Sequence, residues 1–221
     1  MVRRQLLKYN FAENMKKALI AIIIVLTAPV FLYAEDNTFL GPTGYINIPT
    51  AKVLEKKIFN LGMWVDSDYT STMNFECGLG KGIEVGLCEE ITKDGATKVA
   101  LNYNWLLLEE KQKIPCVSWG SRDKWNYLVL TKGINILKGG SVSFGIGTEN
   151  FDRYPVFAGL KVIISEKWYA AIDYDGSNMN IGLRMPYIGL LGLSIPGSSD
   201  IKGGKILWGY PYQLDLKEII K

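Results

Sequence analysis

The sequence predicts an all-β chain: an antiparallel up-and-down β-barrel of about 10–12 strands, of outer-membrane type, preceded by a signal peptide. Three observations predict it. A basic, then apolar leader occupies residues 1–34. The remainder alternates apolar with small or polar residues in short runs separated by turn signals, and no long stretch has a helical period. The non-apolar face of those runs carries mostly Gly, Ala, Asn and Ser, where a water-exposed face would carry Lys, Glu, Thr and Arg.

The leader has the layout of a secretory signal. Met15-Lys16-Lys17 opens a basic region, Ala18 to Leu32 is an apolar run, and Tyr33-Ala34 precedes Glu35-Asp36. Cleavage is expected between Ala34 and Glu35. A leader beginning at Met15 is complete by itself, so Met15 is an alternative start. The competing reading is a single membrane anchor, but the run is short for a span of about 20 residues. Residues 35–221 are expected to form a single β-barrel domain.

Composition narrows the function classes. The leader holds five of the 25 basic residues and one of the 22 acidic ones, leaving 20 and 21 in the exported chain. The basic balance therefore belongs to the leader, and the charge gives no case for nucleic-acid binding. The three cysteines, Cys77, Cys88 and Cys116, are an odd number, so at least one stays unpaired in the monomer. Cys77 and Cys88 fall on opposite faces of adjacent runs, which argues against a bridge between them.

The runs follow one another in order. Ile58–Val65 is the first. Met73, Phe75, Cys77 and Leu79 alternate with Asn74, Glu76 and Gly78; the turn Gly80-Lys81-Gly82 follows, and Ile83, Val85 and Leu87 alternate with Glu84, Gly86 and Cys88. Val99–Leu107 is the next clear run, then Ile114–Trp119 and Trp125–Thr131. Val142–Gly147, Val156–Ile164, Trp168–Tyr174, Asn178–Met185, Leu190–Ile195 and a run near Lys205–Tyr212 complete the set. Strands facing two environments require this period of two. In lipid only a closed sheet gives every backbone N–H and C=O a partner. Most of the Trp and Tyr residues are expected on the apolar face, as interface anchors. The C-terminal Leu214–Lys221 departs from the alternating, aromatic-ended strand that commonly closes such barrels.

The search for chemistry returns little. The sequence has no His, which removes Ser-His-Asp and Cys-His arrangements and most zinc sites. No Cys-x-x-Cys spacing occurs, and Gly78–Gly82 has neither the spacing nor the following helix of a phosphate loop. Glu76 and Glu84 share one face of adjacent runs, so a glycosidase-like pair is conceivable. The simpler reading is a charged lumen, with Glu76, Glu84, Lys161, Asp173 and Arg184 turned inward. Opposite-wall side chains such as Glu76 and Arg184 would then narrow the bore. Asp173, Asp175 and Asn178 lack the EF-hand spacing for calcium, and Asp175–Asn178 reads as a hairpin turn. No catalytic, cofactor or metal residue is assigned.

Gly41-Pro42-Thr43-Gly44-Tyr45-Ile46-Asn47-Ile48-Pro49-Thr50-Ala51 resembles the opening G-x-x-G-x-I-x-x-P-T-A of YjbH-type proteins. Phe144–Gly147, Phe157-Ala158-Gly159, Asp173-Tyr174-Asp175-Gly176 and Asn180–Leu183 follow in the family's order. The resemblance implies a non-enzymatic outer-membrane barrel linked to exopolysaccharide production or export, or to envelope structure. Its partners would be outer-membrane lipid and polysaccharide or envelope assembly proteins. The residues leave two alternatives: a soluble periplasmic or secreted barrel with a small ligand inside, and a barrel enzyme using the lumen carboxylates.

Overall fold

Twelve strands close on themselves in sequence order. They are β1 (Ile58–Asp66), β2 (Ser71–Gly80), β3 (Ile83–Ile91), β4 (Thr97–Leu108), β5 (Cys116–Arg122), β6 (Trp125–Ile134), β7 (Gly140–Gly147), β8 (Val156–Ser165), β9 (Trp168–Tyr174), β10 (Asn178–Met185), β11 (Gly189–Pro196) and β12 (Lys205–Asp215). The computed structural model describes residues 37–39, 41–148, 155–186, 188–197 and 204–215. The expected leader over 1–34 and its cleavage at Ala34 and Glu35 lie outside these residues.

Each strand is antiparallel to its chain neighbour, and β12 pairs with β1 from Ile58↔Asp215 to Asp66↔Leu207. That seam leaves no sheet edge, so the ladder satisfies the strand backbone all the way round. Alternation then sorts the side chains. On β2, Thr72, Asn74 and Glu76 point inward and are buried, while Met73, Phe75 and Leu79 point outward and are exposed. The same holds for β7, where Ser141 and Ser143 face in and Val142, Phe144 and Ile146 face out. Leu101 (71% exposed) and Val99 (63%) lie on the outer surface of β4. The barrel is therefore apolar outside, while its inner face mixes polar side chains with buried apolar ones.

Some of the turns are tight, for local reasons. Between β2 and β3, Gly80, Lys81 and Gly82 all adopt positive φ, and the register shifts between Gly78 and Gly80. After β9, the Asp175 carboxylate accepts the N–H groups of Ser177 and Asn178, which makes the Asp175–Asn178 turn. At two loops charge assists. Lys132 bonds Glu110 at 2.9 Å and holds that carboxyl below the usual range. Lys205 likewise lowers Asp68, at 2.8 Å.

One expectation needs correction. The run at Ile114–Trp119 is displaced: the strand is Cys116–Arg122, because Ile114 is held in a local turn with Lys111. The aromatics lie mostly on the apolar face, as expected, but not all of them do. Trp105, Trp119, Trp168 and Trp208 are exposed on it, but Trp64, Trp125, Tyr127 and Tyr169 face inward and are buried. Three inward rings fit because a glycine faces them on the next strand. Tyr127 lies over Gly120, Phe157 over Gly145 and Trp64 over Gly209, each a directly paired position. A Cβ at Gly145 would sit 2.1 Å from Phe157 Cζ, so only glycine leaves room for the ring.

Candidate functional site

The lumen is filled by the chain itself. Residues 41–54 precede β1 and lie inside the barrel, with Tyr45, Ile46, Ile48 and Ala51 fully buried. This stretch forms neither helix nor strand. Its backbone is folded on itself by Tyr45 N–H to Ile48 O (3.1 Å), Thr50 N–H to Thr43 O (3.0 Å) and Phe39 N–H to Ile46 O (2.7 Å). Pro42 and Pro49 bring no N–H that would need a partner. Gly44 is required by contact: a Cβ there would lie 2.1 Å from the Ile48 carbonyl oxygen.

An irregular buried segment still leaves backbone donors unsatisfied. Wall carboxylates take them. Glu84 accepts the Thr43 N–H (3.1 Å) through Oε1, and the Thr43 hydroxyl (2.7 Å) and Leu54 N–H (2.9 Å) through Oε2. Asp173, on the far wall, accepts the N–H groups of Ile46 (2.9 Å) and Asn47 (3.0 Å). Glu76 accepts Asn37 Nδ2 (3.1 Å) and Asn102 Nδ2 (3.0 Å). Neutral groups complete the seat. Thr131 Oγ1 accepts the Ala51 N–H, and Asn104 Nδ2 donates to Thr50 O and Lys52 O. The Tyr45 hydroxyl meets Ser141 and Ser143.

Apolar contacts set the depth of the segment. Tyr45 and Ile48 rest over Gly159, where a Cβ would lie 2.6 Å from Tyr45 Cδ2, and Ile46 rests over Gly182. The Phe39 and Trp64 rings meet edge to face, with centroids 6.1 Å apart.

No protein-family model and no curated protein matches this chain. The site is therefore read from its own geometry. That geometry joins the stretches that carried the YjbH-type resemblance. Gly41–Ala51 is the lumen segment, and Asp173, Asp175 and Asn180 receive it: Asn47 Nδ2 bonds Asp175 at 3.0 Å, and Asn180 Nδ2 bonds Asp173 at 2.7 Å.

The five expected lumen charges separate into two groups. Glu76, Glu84 and Asp173 are brought together around the inner segment as acceptors of its donors and of neighbouring amides. Lys161 faces in but lies over the Tyr169 ring, 4.6 Å from its centroid, and Arg184 donates to Pro211 O at 3.2 Å. Glu76 and Arg184 therefore do not form the constriction expected of them; backbone does. Cys77 and Cys88 are free and lie on opposite faces, as their phase predicts, and Cys116 is also free.

Thr131, Ser141, Ser143 and Asn104 were not singled out from sequence. A signal for the segment was present, however. Residues 41–54 do not alternate, yet they carry Tyr45, Ile46, Ile48, Val53 and Leu54 among their prolines and glycines. Such a stretch must be buried somewhere, and a barrel wall lined with Gly, Ser and Asn leaves volume to bury it in.

Proposed function

We propose that this chain is a non-enzymatic outer-membrane β-barrel of the YjbH type, closed at rest by residues 41–54. It acts in envelope structure or in exopolysaccharide production or export. The observation that carries the membrane part is the outer surface. All around the barrel, outward positions are large and apolar, including Met73, Leu101, Phe144, Ile181, Leu193 and Ile206, each at least 40% exposed. Soluble monomers rarely expose contiguous apolar patches beyond about 300–600 Å², and an apolar band around a closed sheet is what a bilayer requires. The non-enzymatic part is supported by the engagement of Glu84 with the inner segment and of Glu76 with Asn37 and Asn102, and by their full burial. The exopolysaccharide part rests on the resemblance. A soluble ligand-binding barrel is less favoured, because Tyr45, Ile46 and Ile48 take the volume a ligand would need.

The test is membrane fractionation of the expressed protein, with mobility on a gel before and after boiling. Retention in the outer-membrane fraction with a boiling-dependent shift is expected. Release as a soluble periplasmic protein without a shift would contradict the membrane reading. Normal exopolysaccharide from a strain lacking the protein would remove the polysaccharide role while leaving the barrel reading in place.

A further inference from the structure

We propose that residues 41–54 are a displaceable gate, and that the barrel conducts small hydrated solutes when they leave the lumen. The inference rests on the membrane reading and adds an activity to it. Its main support is a mismatch between wall and filling. Among the described residues, Asn74, Asn102, Asn104 and Asn180 use their side-chain N–H groups on Thr38 O, on the inner segment or on wall carboxylates. Their Oδ1 atoms, with Ser118 Oγ and the Tyr127 hydroxyl, are buried without a protein partner. A lumen filled only for rigidity would be lined with matched or apolar side chains, because each unmatched buried polar group is costly. The wall instead carries more hydrogen-bonding capacity than its filling uses. Water and hydrated solutes use such capacity fully.

The attachment of the segment allows movement. Its wall anchors are hydrogen bonds and packing contacts, and the three cysteines are unpaired. It joins β1 through one turn at the barrel rim, where Ile58 N–H bonds Glu55 O, Lys57 N–H bonds Gly78 O, and Lys57 has φ of 69°. The wall contacts of residues 41–54 described above all lie before that turn. Together with residues 37–39, which hydrogen-bond Glu76, Asn74 and Thr72, the segment can therefore swing out as a unit and remain tethered. Departure would bare Glu84, Asp173 and the Asn, Ser and Thr side chains that now hold it, a path lined by these polar groups beside the inward rings of Trp64, Tyr127 and Phe157.

Three proteins are compared in planar lipid bilayers with potassium chloride as the probe: the full chain, a deletion of residues 37–54, and the full-length double variant Glu84→Ala/Asp173→Ala. Boiling-dependent mobility checks that each is a closed barrel. The full chain should be closed most of the time, with rare openings. The deletion should conduct steadily at the same unit conductance as those openings. The double variant should open about a hundredfold more often, since each of the two lost buried acceptors weakens the closed state by about a factor of ten. Adding a synthetic peptide of residues 37–57 should silence the deletion. A folded deletion that passes no current would overturn the proposal alone. So would a full chain and double variant that never open while the deletion conducts, because the filling would then be permanent. Failure of all three to enter lipid would overturn the membrane reading, and this proposal with it.

Discussion

Glu84→Ala is expected to destabilise the barrel by about 2–5 kcal/mol, because it leaves buried donors without an acceptor. The carboxylate holds both ends of the inner segment, at Thr43 and at Leu54, thirty and more residues away along the chain. Alanine removes all three bonds at once. The Thr43 hydroxyl can turn elsewhere, but the two backbone N–H groups cannot. Glu84→Gln should cost less. Its carbonyl oxygen can take the place of Oε2, which leaves only the Thr43 N–H facing an amide N–H. The urea midpoint of unfolding, followed by Trp fluorescence in lipid vesicles, gives the order wild type, Gln, Ala. A second readout is local: trypsin cleavage after Lys52 should rise in the alanine variant at urea concentrations that leave the barrel intact. An alanine variant with the wild-type midpoint and wild-type resistance at Lys52 would show that Glu84 does not hold the segment.

Gly209→Val is expected to prevent closure of the barrel at its seam. Gly209 of β12 pairs with Trp64 of β1 on one side and with Leu190 of β11 on the other. A Cβ at Gly209 would lie 2.2 Å from Trp64 Cε3 and 2.4 Å from Cδ2. The indole is fully buried and already rests against Phe39, so its retreat is blocked by that ring. Overpacking of this kind costs about 1–3 kcal/mol where neighbours can yield; here the strain falls on the one strand pair that completes the ring. The boiling-dependent gel shift should be lost. Adding Trp64→Ala should restore part of it, because the clash partner is gone. Gly192→Ala is the control: its Cβ would come no closer than 3.3 Å to any neighbour, and the shift should be kept. A Gly209→Val protein with a normal shift would show that the Trp64–Gly209 pair is not needed for closure.

All twelve strands were visible in the sequence because each faces two different surroundings, and that difference is written residue by residue along the strand. Met73–Leu79 and Asn178–Met185 show it plainly. Ends were less legible. Ile114 alternates like a strand residue, but its hydrogen bonds go to Lys111 in a turn. Inward Trp64 and Tyr127 were missed because their fit depends on Gly209 and Gly120, which lie on neighbouring strands and follow from register rather than from either run alone. The site was half legible. Inward Glu76, Glu84 and Asp173 follow from phase, but their partners Thr43, Leu54, Ile46 and Asn47 bond mainly through backbone N–H groups, which no residue type announces. Lys161 and Arg184 were grouped with the acids on charge alone, and the structure gives them other contacts, a ring and a carbonyl.

The most direct test of a lipid-embedded barrel filled by its own chain is photolabelling in vesicles with a carbene-generating lipid, followed by mapping of the adducts by mass spectrometry. The account predicts adducts on outward residues such as Leu101, Phe144, Ile181 and Ile206, and none on Tyr45, Ile46 or Ile48. Adducts on the inner segment, or their absence from the outward residues, would contradict it.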